Sequence, residues 1–334
     1  MTIKELAKIA GVSTATVSRA LNDGSGINPE TQKKILELAK ELNYHPNILA
    51  KGLSSQKIFT IGILIPDVTN PFYGDILRGI EDIATAYNYT CVLFNTDYDA
   101  ERERKALDLF RIGRFDGLIA SISNRVIDEC VNLSNMNYPL VLLGHVIDEV
   151  KCPKIGCNNF SSAYTITEYL IKAGHRNIAH IGGHKETKTG IQRLQGYRRA
   201  LENYDIPVNP DWYVSTDYLS HSAYEKTLEL LKKEKDITAI FAANDSMAAG
   251  CYRAIFELGL KIPDDISVVG HDDTETAMLL QPSLTTMRQE KRKIGRLAAQ
   301  NLFSSISKGK NSEDIIIVPT ILIERNSVKD INAR

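Results

Sequence analysis

Residues Thr2 to Asn22, TIKELAKIAGVSTATVSRALN, constrain this 334-residue chain more than any other stretch. They read as two short helices around a tight turn. Thr2-Ile-Lys-Glu5 is a capping box: the Thr2 hydroxyl accepts from the Glu5 amide, and the Glu5 carboxylate reaches back to the Thr2 amide. Leu6, Ala7 and Ala10 fall on one helical face. Gly11 stands where a helix end needs a residue tolerant of positive φ. Ser13 is placed to cap the next helix, with Val17 and Leu21 turned inward. Asn28-Pro29 opens a third helix, because Pro is at ease in the first helical position. The apolar stripe of that helix is Ile35, Leu38, Ala39 and Leu42. Three such helices bury a small common core and leave the mostly polar face of the second outward.

That face carries Thr14, Ala15, Thr16, Ser18, Arg19 and Asn22, with Ser13 at its start. A helix of this kind presents its N-terminal residues to base edges in the major groove. Arg19 suits a bidentate contact to guanine, and Ala15 or the Thr14 methyl suits a thymine methyl. Ser13, Thr16, Ser18 and Asn22 are short and polar, fit for phosphate oxygens. A solvated face on an ordinary three-helix bundle has the same composition, so the pattern alone leaves both readings open. The charge split is compatible with the first: residues 1–60 carry 8 Lys/Arg against 5 Asp/Glu, and the remainder 32 against 36, too small an excess for tight binding by one head. A modestly basic head on an acidic body fits a DNA reader that must also let go. Two heads on a palindrome double the phosphate contacts of one, so a homodimer on double-stranded operator DNA is expected.

Composition narrows the class. Hydrophobic content of 43% is ample for buried cores. The chain has no apolar run of about 18 residues, so no membrane span is expected. Met1-Thr-Ile-Lys runs into an amphipathic helix rather than a signal peptide, which points to the cytoplasm. The five cysteines are scattered, and Cys152 and Cys157 have no His or Cys companion. Neither a metal nor another cofactor is expected, and buried thiols are the plain reading. There is no GxSxG, GxxxxGK[ST] or HExxH, and no nucleophile–base constellation, so catalysis is not expected.

From Phe59 onward, short apolar runs alternate with helical patterns. The runs are 60–66, 90–94, 116–120, 139–143, 177–183, 238–244 and 266–270, with helices such as Tyr73–Tyr87 and Ala163–Lys172 between them. Runs rich in Ile, Val and Leu alternating with helices imply parallel sheets covered on both faces. Two such units in series suggest two lobes, the first starting near 60 and the second near 160. Ligands of open α/β sheets sit beyond the carboxyl ends of the strands. There the chain places Asn70-Pro71-Phe72-Tyr73, then Asn95 and Asp97, then Asn244-Asp245, then His271-Asp272-Asp273, with Arg193 in TGIQRLQGYRRAL. Carboxylates, an amide and an arginine bind adjacent hydroxyls, and aromatics cover the apolar face of a sugar ring. Other roles stay open: Asp245 and Asp273 as helix caps, Phe72 or Tyr73 as core, Arg193 as the partner of a structural carboxylate.

AGVSTATVSRALN, INPETQKKILELAKELNYHPN and ILAKGLSS closely resemble the N-terminus of the LacI/GalR family of bacterial transcription regulators. IGILIPDVTNPFY, AGHRNIAHIGG, RLQGYRRAL, AIFAANDSMAAG, ISVVGHDD and PSLTTMRQE carry the resemblance over nearly the full length. It implies an α/β fold: a three-helix helix-turn-helix DNA-binding head and a two-lobed periplasmic-binding-protein-like body with parallel sheets. The head, with its hinge segment at about 46–57, would span residues 1–57, and the effector-binding and dimerisation domain residues 58–334. Lobe one would comprise about 58–158 and 290–318, and lobe two about 159–289 and 319–334. A hinge helix opened by Pro46 is too short to be stable alone. By resemblance it forms on DNA, with Leu53 wedged between central base pairs in the minor groove and Asn47 among the DNA-binding residues; plain interdomain packing is the other reading of Leu53.

The resemblance assigns effector roles to Arg193, Asn244 and Asp272. It makes Phe72, Tyr73 and Tyr218 cleft-lining positions and adds His145 and Gln289. It implies a repressor whose affinity for a palindromic operator is set by a small molecule, a sugar or sugar derivative. The chain departs from the pattern at Lys291, a cleft position by the resemblance where some sugar-binding relatives carry an aromatic, and this lysine points to a phosphorylated or acidic sugar. A phosphorylated carrier protein as co-effector, as in one branch of the family, is an alternative, and a solute-binding protein without a DNA role is a second. After PTILIERNSV no heptad run follows, so a dimer is expected rather than a tetramer.

Overall fold

The computed structural model describes residues 1–22, 25–44, 57–144 and 147–332. The chain divides into two compact units, Met1–Phe59 and Thr60–Arg334.

The first unit contains α1 (Ile3–Ala10), α2 (Thr14–Asn22) and α3 (Pro29–Glu41). The capping box is formed: the Thr2 amide donates to Glu5 at 2.7 Å and the Glu5 amide to the Thr2 hydroxyl at 3.3 Å. That bonding holds the Glu5 carboxyl below its usual range. Gly11 ends α1 with φ of 70°. Ser13 caps α2 by accepting from the Thr16 amide at 3.1 Å, and Asn28 caps α3 by accepting from Glu30. Leu6, Ala7, Val17, Ala20, Ile35 and Ala39 form the core.

In the second unit the order is β1 (Thr60–Ile65), α4 (Pro71–Ala86), β2 (Thr90–Asn95), α5 (Ala100–Arg111), β3 (Gly117–Ala120), α6 (Ile127–Asn135), β4 (Leu140–Leu143) and β5 (Lys154–Gly156). Then come α7 (Asn159–Lys172), β6 (Ile178–Gly182), α8 (Lys188–Asn203), β7 (Tyr213–Ser215), α9 (Ser220–Lys233), β8 (Ala239–Ala242), α10 (Asp245–Glu257), β9 (Ser267–Asp272), α11 (Glu275–Leu279) and β10 (Thr285–Gln289). The chain closes with α12 (Lys291–Lys308), β11 (Ile315–Ile317) and β12 (Thr320–Ile323).

These strands make two six-stranded sheets, ordered β11-β5-β4-β3-β1-β2 and β12-β10-β9-β8-β6-β7. Every pairing is parallel except β10 with β12. The two orders are the same pattern used twice, a likeness that no internal sequence repeat announces. Each sheet is covered on both faces by separate apolar clusters, which is why its inner strands read as continuous apolar runs. The chain passes between the sheets after β5, after β10 and between β11 and β12.

Helix contact in the first lobe is unusually close. A Cβ on Gly79 would overlap the Arg292 carbonyl oxygen, and one on Gly295 would overlap that of Ile76. α4 and α12 therefore cross backbone to backbone, with the Asp82 carboxylate gripping Arg292 and Arg296 beside the crossing. Gly295→Ala is expected to cost about 1–3 kcal/mol, because overpacking forces rigid backbone rather than a flexible side chain to move. Thermal unfolding checks this, and an unchanged midpoint would mean that the helices yield.

Candidate functional sites

On the head, Thr14, Ala15 and Arg19 are exposed together along α2, with Ser13 exposed at its cap and Thr16 and Ser18 half-buried. The Ser13 and Thr16 hydroxyls are 2.9 Å apart. Arg19 lies along its own helix, its Nε donating to the Ala15 carbonyl at 3.4 Å. Asn22 closes α2. Asn47, Leu53 and the hinge lie outside the described residues, as does His145.

Both sheets have their switch point at the first strand of the lobe, where β1 lies between β2 and β3 and β6 between β7 and β8. Loops leaving the carboxyl ends of neighbouring strands diverge there and open a crevice. The loops of the two lobes meet around one cleft of about 800 Å³, counting its solvent-open mouth.

Seven of the anticipated effector residues line it: Phe72, Tyr73, Arg193, Tyr218, Asn244, Asp272 and Gln289. Phe72 and Tyr73 meet edge to face with centroids 5.0 Å apart, and burial pushes the Tyr73 hydroxyl well above its usual range. Arg193 is 5% exposed. Its Nε donates to Asn159 at 3.0 Å, a second guanidinium nitrogen donates to the Ala243 carbonyl, and the third stands 3.7 Å from Asp272. Asp272 Oδ1 accepts from Gln289 at 2.7 Å and from His271 at 3.0 Å. The buried His271 ring is held neutral, its pKa pushed down to about 4 by burial and then by the Arg193 charge. With Nδ1 donating to Asp272, its Nε2 accepts from the Ser162 hydroxyl at 2.8 Å. Asp272 has φ of 116°, a strained value for a side-chain-bearing residue that persists only where its surroundings over-determine it. Asn244 is a helix cap as well as a lining residue: its oxygen accepts from the Met247 amide at 2.7 Å and its nitrogen donates to the Tyr218 carbonyl. The Tyr218 ring lies over Gly183, where any Cβ would collide with it.

Two expectations are corrected. Asp97 does not line the cleft. Its carboxylate is taken by Asn95 at 2.6 Å and by Arg102, and Asn95 in turn accepts from Val68, so both residues brace the surface loops. The neighbouring Tyr98 lines the cleft instead, stacking on Tyr218 with centroids 5.8 Å apart and meeting His184 at 4.7 Å. Lys291 is buried and does not line the cleft. Its ammonium donates to the main-chain oxygens of Asp272 at 2.7 Å and Asp273 at 2.8 Å. It therefore braces the turn that carries Asp272.

Asp245 and Asp273 also prove structural. Asp245 is buried among the Thr274 amide and hydroxyl and the Thr286 hydroxyl, and burial raises its pKa. Asp273 bridges Arg288 and Arg325.

Asn159, Thr187, Thr189, Glu103, Ser121 and Tyr98 line the cleft without having been singled out. Thr187 and Thr189 stand at the start of α8 after β6, where the strand-end rule would have reached them. Tyr98 is the chain neighbour of Asp97, the residue expected there. Asn159 follows β5, a three-residue strand without a clear apolar run. Across the mouth, Asn124 donates to the Glu186 carbonyl at 2.6 Å, and Arg125 pairs with the Glu186 carboxylate.

Among the described residues, no group of His, Cys, Asp and Glu could hold a metal ion, and no helix is long and apolar enough to cross a membrane.

A three-helix head and a body with a cleft between two lobes make the architecture of a ligand-responsive transcription regulator. Comparison with known proteins agrees. Residues 2–47 match the profile for bacterial regulatory proteins of the lacI family, and residues 167–328 that for a periplasmic binding protein-like domain. Catabolite control protein A of Priestia megaterium is 34% identical over 98% of this chain and 99% of its own length. The HTH-type transcriptional repressor PurR of Histophilus somni (strain 129Pt) is 36% identical with the same coverage. The lac repressor dimer bound to operator and the anti-inducer ONPF superposes with a TM-score of 0.86 at 28% identity, over 98% of this chain and 99% of that one. The chain belongs to the LacI family and is a ligand-responsive transcriptional repressor.

Proposed function

We propose that this repressor binds a palindromic operator as a cytoplasmic homodimer and that a sugar or sugar derivative in the interlobe cleft sets its affinity for DNA. The observation that carries the effector class is the cleft lining. Arg193, Asp272, Asn244 and Gln289 offer donors and acceptors side by side, while Phe72, Tyr73, Tyr98 and Tyr218 offer apolar ring faces. Hydroxyls on neighbouring ring carbons need the first set, and the C–H face of a pyranose needs the second. On the head, Ser13, Thr14, Ala15, Thr16, Ser18, Arg19 and Asn22 form the DNA face, with Asn47 and Leu53 acting from the hinge. Catalysis plays no part in this reading.

A ligand touching both lobes favours one lobe arrangement over another, and only that difference in affinity shifts the equilibrium. Effector and operator affinities are then coupled reciprocally. The test is fluorescence anisotropy on central-CG palindromes, with and without a panel of sugars. One compound is expected to change operator affinity about tenfold or more, roughly 1.4 kcal/mol of coupling. DNA binding that no compound alters would put a phosphorylated carrier protein in the effector's place. Binding to no palindrome would overturn the assignment of the DNA face.

A further inference from the structure

We propose that Glu103 is a further effector-binding residue. It accepts a hydrogen bond from an effector hydroxyl or amine, and it bars a phosphate or carboxylate from the lobe-one wall. The proposal rests on the cleft being the effector site and specifies the chemistry of the group lying against that wall.

Glu103 stands in the first turns of α5, is 1% exposed and lines the cleft. A fully buried carboxylate is ordinarily paired with a cation. The described partners of this one are both donors of a single serine: the Ser123 amide at 2.9 Å on one oxygen and the Ser123 hydroxyl at 2.6 Å on the other. The neighbouring Arg104 is turned away to Glu129 at 2.7 Å. Each carboxylate oxygen accepts more than one hydrogen bond, so acceptor capacity remains on a wall where a ligand is expected.

The charges around the cleft point the same way. Among its described lining residues the charged groups are Glu103, Asp272 and Arg193. Arg193 already donates to Asn159 and Ala243 and stands by Asp272. The Lys291 ammonium is committed to two main-chain oxygens. Among the described lining residues, an anionic group brought to the lobe-one wall would meet a buried carboxylate with no free cation to offset it, whereas a hydroxyl or ammonium would supply the missing donor.

Isothermal titration of the full-length protein with neutral hexoses, hexosamines, hexose 6-phosphates and hexuronates provides the tightest binder. Its singly deoxygenated analogues are then titrated against the wild type, Glu103→Gln and Glu103→Ala. Glu103→Gln retains an oxygen for the Ser123 amide and an N–H for its hydroxyl, so the loop stays anchored. The expected result is that one deoxy analogue loses about tenfold or more in the wild type and nothing further in Glu103→Ala. A phosphate or carboxylate at that same ligand position should bind the wild type worse still and regain affinity in Glu103→Gln. Equal losses for every analogue in wild type and Glu103→Ala would reduce Glu103 to an anchor for Ser123 and overturn the proposal. So would a wild type that prefers the anionic substituent at that position. If no member of the panel binds, the sugar reading of the cleft itself fails, and this inference fails with it.

Discussion

Asp272→Asn is expected to abolish the effector response of operator binding while leaving operator binding in place. Asp272 Oδ1 is committed within the protein, to Gln289 and His271, and no described bond uses Oδ2. Asn keeps an acceptor for the first pair and turns the second oxygen into a donor, so a ligand hydroxyl that donated there loses its acceptor. Hydrogen bonds to charged groups contribute about 1.5–3 kcal/mol, or roughly ten- to a hundredfold in effector affinity. Asn is the better substitution than Ala for two reasons. Asn is isosteric with Asp, so nothing has to repack at the strained backbone φ of 116°, and a polar side chain remains beside the buried Arg193. The substitution lies outside the Met1–Phe59 unit, so the head itself keeps its sequence and core. Titration calorimetry and anisotropy read the two halves of the prediction. A variant whose operator affinity still shifts as much as the wild type's would remove Asp272 from the effector site.

Arg19→Ala is expected to relax base preference at one position of each half-site. A bidentate contact to guanine contributes about 1–3 kcal/mol of discrimination, and two heads on a palindrome incur that loss twice. The head should remain folded: Arg19 is exposed, its described contact is with its own helix, and Ala is the better helix former. Selection from a randomised operator library distinguishes base reading from phosphate binding. Loss of preference at one position identifies a base contact. A uniform fall in affinity, with every preference kept, would make Arg19 a phosphate contact instead.

The features legible without the fold are local or periodic. The capping box, the left-handed Gly11 and the Ser13 and Asn28 caps all depend on residues within a few positions of each other, so they are legible without the fold. Strands β1, β3, β4, β6, β8 and β9 were legible because burial on both faces demands continuous apolar runs, and the half-exposed edge strand β2 was legible from its own short apolar run. β5, β7 and β11 are three residues long, β10 is TTMRQ, and the half-exposed β12 pairs antiparallel to β10. In these the partner strand, rather than their own pattern, makes the strand. The strand-end rule found the region of the cleft but not always the residue. Asp97 and Tyr98 both have positive φ, and only the folded turn decides which of them faces inward.

Charge was the least legible property. Lys291 reads as a free cation until β9 and α12 bring two main-chain oxygens to its ammonium. Nothing in the sequence singles out Glu103, which is buried because α5 packs against the loop after β3. Pairing of that kind depends on distances between segments far apart in the chain, and only the tertiary structure sets those distances.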